Sequence, residues 1–77
     1  MDAYFRLANA IVLLAAKDYA HALKALRSNS RNREALAWKK ECEHFFRSGW
    51  FEILTNLDAE ALMESIQKEV YGKAVAV

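Results

Sequence analysis

The sequence predicts an all-α fold, a small single-domain helical bundle, from three observations. The chain has 77 residues and is 55% hydrophobic, which suits one small core and excludes a disordered chain. It has no proline and two glycines, so helix breakers are scarce. Its apolar residues recur with the helical period. We expect a long N-terminal helix in an antiparallel hairpin with helix two, then a short connecting helix and a C-terminal helix.

The first helix is predicted from about Ala3 to Ser28, with one broad apolar sector facing the core. The sector contains Tyr4, Leu7, Ala8, Ile11, Val12, Ala15, Tyr19, Ala22, Leu23 and Leu26. Polar residues lie opposite: Arg6, Asn9, Lys17, Lys24 and Arg27.

A polar turn over residues 28–32 precedes helix two, which is predicted from about Arg33 to Ser48 and ends at Gly49. Asn32 or Ser30 is placed to accept the free amide hydrogens at its start. The expected buried stripe holds Ala35, Trp38, Cys42, Phe45 and Phe46, and the outward face holds Lys40, Glu43, His44 and Arg47.

A short helix is predicted over residues 50–55 and a last helix from about Ala59 to Tyr71. Asp58 is the expected N-cap of the last helix, and Leu57 and Leu62 occupy the two positions of a hydrophobic staple. Gly72 is the expected C-cap, which leaves residues 73–77 as a frayed tail of the single domain 1–77.

The net charge of +1 conceals an asymmetry between the two halves of the chain. Residues 1–40 carry eight Lys/Arg against three Asp/Glu, whereas residues 41–77 carry three against seven. The first half is therefore suited to an acidic partner, and the second half is suited to neutralise it within the fold or in another copy.

Several basic side chains gather around the first turn, which we call the basic turn: Lys24, Arg27, Arg31, Arg33, Lys39 and Lys40. Leu13 is an apolar residue on the polar side of helix one, beside Lys17. These features make the predicted partner-binding residues Leu13, Lys17, Lys24, Arg27, Arg31 and Arg33. The expected partner is another protein or, as an alternative, the phosphate backbone of a nucleic acid. A solvated basic surface is the simpler interpretation of the same residues.

Asp18 is a carboxylate on the apolar side of helix one, where a charged group loses hydration. We expect this buried polar residue to be paired or hydrogen-bonded, with a contact to a partner as the alternative. The aromatic residues Trp38, Phe45, Phe46, Trp50 and Phe51 are expected to form mainly core, with an interface role left open.

No catalytic motif is visible, and we expect no enzyme activity, no cofactor and no metal. Cys42 is the only cysteine, which excludes an internal disulfide and fits a reducing compartment. His44 lies about 160° away from Cys42 on a helix, too far around to share a ligand. No apolar run is long enough for a membrane span, and we expect a cytoplasmic protein that contacts no membrane. A homodimer stays open, because a chain this small has a limited core.

Residues 31–70 contain the segments Phe45-Phe46-Arg47-Ser48, Trp50-Phe51, Leu54-Thr55 and Leu57-Asp58. With these segments the sequence resembles small proteins encoded in phages and prophages of Gram-positive bacteria. Members of the group often carry Gly where this chain has Ala59. The resemblance implies no particular activity, but it implies a phage setting, where short proteins often regulate or inhibit host machinery, including defence nucleases. It therefore makes a host or phage protein the expected partner.

Overall fold

The computed structural model confirms an all-α bundle. It describes the backbone of residues 2–75 and the side chains of these residues except 2, 5 and 73–75. Its four helices are α1 (Asp2–Ser28), α2 (Arg33–Phe46), α3 (Gly49–Leu54) and α4 (Ala59–Val75). None of the described residues lies in a β-strand.

The helices α1, α2 and α4 run up, down and up, and α3 makes the connection between the last two. α2 packs antiparallel to α1, as the short turn between them requires. α4 runs alongside α1 in the same direction, because Gln67 contacts Tyr19 and, further along both helices, Val70 contacts Arg27. The expected hairpin of α1 and α2 is therefore present, and α4 closes the bundle over it.

The core lies where the three long helices meet. Aromatic rings at the end of α2 pack edge to face, with centroid distances of 5.6 Å from Tyr19 to Phe46 and 5.5 Å from Phe46 to Phe51. Phe51 is the residue of α3 that packs into this cluster. The buried cluster comprises Val12, Tyr19, Leu23, Cys42, Phe46, Phe51, Met63 and Val70.

Both predicted N-caps are confirmed. The Asn32 Oδ1 accepts the amide hydrogen of Ala35 at 3.0 Å, at the start of α2. The Asp58 Oδ1 accepts from the amides of Glu60 at 2.9 Å and Ala61 at 3.2 Å, at the start of α4. These side chains satisfy backbone donors that have no partner within the helix.

Both glycine predictions are wrong. α2 ends at Phe46, because Ser48 turns out of the helix and its hydroxyl donates to the Phe45 carbonyl at 2.6 Å; Gly49 then begins α3. Gly72 lies inside α4, which continues to Val75. Neither glycine has the positive φ that terminates helices. Residues 73–75 of the expected frayed tail are thus helical, and residues 76–77 lie outside the described residues.

The two helices of the hairpin differ in length. α1 has 27 residues and α2 has 14, so their lengths are about 40 Å and about 21 Å. α2 therefore covers only the C-terminal half of one side of α1. The buried cluster accordingly takes no residue of α1 that precedes Val12.

Candidate functional site

The predicted partner-binding residues do not form one patch. Leu13 is 56% exposed and lies in a groove between α1 and the start of α4, together with Leu57 and Leu62. Arg31 lies beyond the opposite end of α1, more than about 20 Å away along the helix. The two staple residues line this groove, and Leu57 remains mostly exposed.

Arg27 is engaged within the fold. Its Nη1 donates to the carbonyl oxygen of Val70 at 2.6 Å, which joins the C-terminal end of α1 to α4. A partner would have to compete with this bond, so Arg27 is better placed to stabilise the bundle than to bind. The chain offers no local signal for this contact, because the two residues are 43 positions apart.

The remaining cations of the basic turn are largely available. Lys24, Arg31 and Arg33 are exposed, and within the part of the chain that the structure describes their side chains make no hydrogen bond or ion pair. Lys39 differs, because its Nζ lies 3.2 Å from Glu43 Oε2. The turn itself is held by the Asn29 Oδ1, which accepts from the Arg31 amide at 3.0 Å.

Three exposed cations, one of them shared with the basic turn, follow one line along α1, which we call the basic row. Arg6, Lys17 and Lys24 are 11 and 7 residues apart, and at about 100° per residue this spacing puts them on one stripe. All three are exposed. Lys17 and Lys24 are predicted binding residues, and Arg6, which was not among them, lies on the same exposed stripe.

Six large hydrophobic residues that are at least partly exposed form what we call the apolar surface: Tyr4, Leu7, Ile11 and Leu14 of α1, and Trp50 and Ile53 of α3. Leu7 and Leu14 are 62% and 61% exposed, and Trp50 and Ile53 are 69% and 65% exposed. The hydroxyl of Tyr4 donates to the carbonyl oxygen of Ile53 at 3.5 Å, so the α1 part adjoins the α3 part.

The prediction that Tyr4, Leu7 and Ile11 face the core is therefore wrong. These residues share an apolar sector with Tyr19 and Leu23, but they lie beyond the end of α2. The predicted lengths of the two helices, about 26 and about 16 residues, already indicated this, because the shorter helix cannot cover the whole sector.

The central polar network is built around the fully buried Tyr19. Its hydroxyl donates to Glu43 Oε2 at 2.8 Å and accepts from Gln67 Nε2 at 2.8 Å, which links α1, α2 and α4. Burial, more than these bonds, raises the pKa of Tyr19 to about 12. Glu43, predicted to face outward, is instead half-buried. The network gives the bundle its register; it contains no free nucleophile or base.

Asp18 is half-buried rather than buried, and its carboxylate makes no hydrogen bond or ion pair with the residues described. It stays at the edge of the α1–α2 contact, where it remains partly hydrated. The expected internal partner is therefore not found. Its charge acts on Cys42 instead: burial first, and then Asp18, raise the pKa of this thiol to about 11.

The aromatic residues divide between core and surface. Phe45, Phe46 and Phe51 pack together in the bundle. Trp38 was expected on the buried stripe of α2 but is partly exposed, and its ring stacks on His21 with a centroid distance of 6.5 Å and an interplanar angle of 7°. Trp50 is the most exposed of the large hydrophobic residues named here.

Metal-ligand groups do not assemble in the described part of the chain, where no three His, Cys, Asp or Glu side chains come together. Cys42 is buried and His44 is exposed, as their helical directions predicted. Among the described residues, no helix is long and apolar enough to cross a membrane.

The fold and these surfaces define a small helical bundle with an apolar and a basic surface on one long helix. Comparison with models of protein families, with curated proteins and with solved structures found no match.

Proposed function

We propose that this protein is a non-enzymatic protein-binding module that docks on its partner through the apolar surface. The observation that carries this proposal is the exposure of Leu7 and Leu14 on α1 and of Trp50 and Ile53 on α3, two helices that meet at the Tyr4–Ile53 contact. The six side chains of the surface expose roughly 600–700 Å², close to the ~800 Å² that each partner contributes to a standard-size interface. Monomeric proteins rarely expose apolar patches larger than a few hundred Å² unless these are binding sites.

The class of partner follows from the resemblance to phage and prophage proteins. In that setting the module is an inhibitor or adaptor that acts on a bacterial enzyme complex, including complexes of host defence. The resemblance alone supports this part of the proposal. The groups in the bundle favour binding over catalysis, because the buried Tyr19 network is internally satisfied and Cys42 holds its proton near neutral pH.

Affinity capture from a Gram-positive host extract tests the proposal. The tagged protein is compared with Leu7→Ser/Leu14→Ser, and every capture is repeated after nuclease treatment. We expect one stoichiometric protein that survives nuclease and is lost with the double variant. These leucines are exposed, so helicity by circular dichroism should not change. A protein retained equally by both forms would place the binding site elsewhere.

Nucleic-acid binding is the second candidate, and the free side chains of Arg31 and Arg33 favour it. Arg31→Glu/Arg33→Glu is the matching variant. Capture that disappears with nuclease and with this variant, but not with Leu7→Ser/Leu14→Ser, would support the basic turn over the apolar surface.

A further inference from the structure

We propose that the apolar surface and the basic row together receive one amphipathic helix of another protein, with acidic residues along one edge of that helix. This inference rests on the proposed function and names the chemistry of the partner. Two independent features of α1 carry it: a seam of apolar side chains with helix-packing spacing, and a parallel line of exposed cations.

The seam has the spacing that a packed helix requires. Leu7, Ile11 and Leu14 stand at positions i, i+4 and i+7, on one stripe of α1. Side chains at this spacing form the ridge that fits into the groove of a second helix at an axis distance of about 8–10 Å. On α3, Ile53 is exposed next to Tyr4, whose hydroxyl donates to the Ile53 carbonyl oxygen, and Trp50 of the same helix is also exposed. A helix lying along the seam would therefore continue the bundle where α2 has ended.

The basic row runs beside the seam over the same length of helix. Arg6 and Lys17 are 11 residues apart, about 16 Å along the axis, and the row lies roughly 60–100° around the helix from Leu7 and Leu14. At this angle the cations flank a helix seated on the seam. Asp18, the one acidic residue of α1 whose side chain is described, follows the seam at its C-terminal end and does not neutralise the row.

Charge complementarity determines which residues the partner helix carries on the side that faces the basic row. A helix with glutamates or aspartates on the side that faces the row gains attraction, and a helix with lysines there meets like charges. A second copy of this chain fits less well. In an antiparallel two-fold pairing along the seam, the basic rows of both copies come together on the same side.

Two labelled synthetic peptides of about 18 residues test the inference by fluorescence anisotropy. Both carry leucines at helical spacing; one has glutamates along an edge and the other has lysines. At about 50 mM salt we expect the glutamate peptide to bind about tenfold more tightly, with a difference that shrinks as salt rises. Arg6→Glu/Lys17→Glu should reverse the preference. Leu7→Ser/Leu14→Ser should weaken the binding of both peptides.

The matched control is Lys40→Glu/Lys68→Glu, which makes the same change in net charge at exposed positions of α2 and α4. It should keep the glutamate preference of the unmodified protein. Equal binding of both peptides would overturn this inference and leave the proposed function standing. Binding of neither peptide would count against the apolar surface itself as a helix-docking site, and so against both.

Two further measurements exclude other occupants. Sedimentation that shows a dimer, dissociated by Leu7→Ser/Leu14→Ser, would overturn the inference in favour of a second copy. Binding to vesicles containing anionic phospholipid, with no peptide preference, would overturn it in favour of a membrane surface. A monomer that ignores vesicles and prefers the glutamate peptide is the expected result.

Discussion

Tyr19→Phe removes one hydroxyl group from the centre of the bundle and leaves the ring in place. The Tyr19 side chain is fully buried, so phenylalanine fits the same space and keeps the edge contact with Phe46. The variant leaves Glu43 without one donor and the Gln67 amide without its acceptor. The change therefore isolates the contribution of the polar network that joins three helices.

The expected cost is about 2 kcal/mol of unfolding free energy. A hydrogen bond to a charged group contributes about 1.5–3 kcal/mol to the unfolding free energy. A value near the lower end applies, because the Glu43 carboxylate is still paired with the Lys39 Nζ at 3.2 Å in the variant. For a chain of this size, 1 kcal/mol shifts the melting temperature by about 4–8 °C, so we expect a decrease of about 8–16 °C.

Urea titration and thermal melting, both followed by circular dichroism, measure this effect. Tyr71→Phe is the matched control, because the Tyr71 side chain is partly exposed. This variant should melt at the same temperature as the unmodified protein. If Tyr19→Phe lowered the unfolding free energy by less than about 0.5 kcal/mol, the network would not stabilise the bundle and the reasoning would be refuted.

Three other properties follow from the structure. Between pH 10.0 and about 12 the folded protein keeps the Tyr19 proton and the unfolded chain loses it, so raising the pH through this range should lower the free energy of unfolding. The loss should be smaller in Tyr19→Phe, and an equal decrease of the urea midpoint in both proteins would contradict this. Cys42 should react with a chromogenic disulfide reagent at pH 8 far more slowly than in urea, because it is buried with a pKa of about 11; a free-thiol rate in the folded protein would contradict its burial. Gly72→Ala should raise the unfolding free energy by about 0.4–1 kcal/mol, since nothing lies within 4 Å of the added methyl group; a decrease in urea titration would mean that α4 does not continue through this position.

Local signals in the sequence predicted the helices well. Asn32 and Asp58 cap α2 and α4 as expected, because an N-cap depends on amides two or three residues away. The glycine predictions failed for the opposite reason. A glycine permits a left-handed C-cap but does not require one, and at Gly49 and Gly72 the surrounding residues favour helix.

Non-local contacts limited what could be predicted of the candidate site. The side chain of Arg27 appeared free until α4 placed the Val70 carbonyl beside it. Leu7 and Ile11 appeared buried because helical periodicity gives the direction of a side chain and not the length of the neighbouring helix. Whether a side chain is buried depends on which helix packs against its side of α1, and that is known only once the helices are assembled.

The unequal lengths of α1 and α2 imply a gradient of amide hydrogen exchange along a single helix. Amides of α1 near Tyr19 and Leu23 open only when the core opens, so they should exchange at rates set by global unfolding. Amides near Leu7 lie beyond the end of α2, beside exposed side chains, and should exchange through local opening that is more frequent. A partner seated there would slow the fast end of the gradient and leave the slow end unchanged. The exchange profile of α1 would then locate the binding site before the partner's own structure was known.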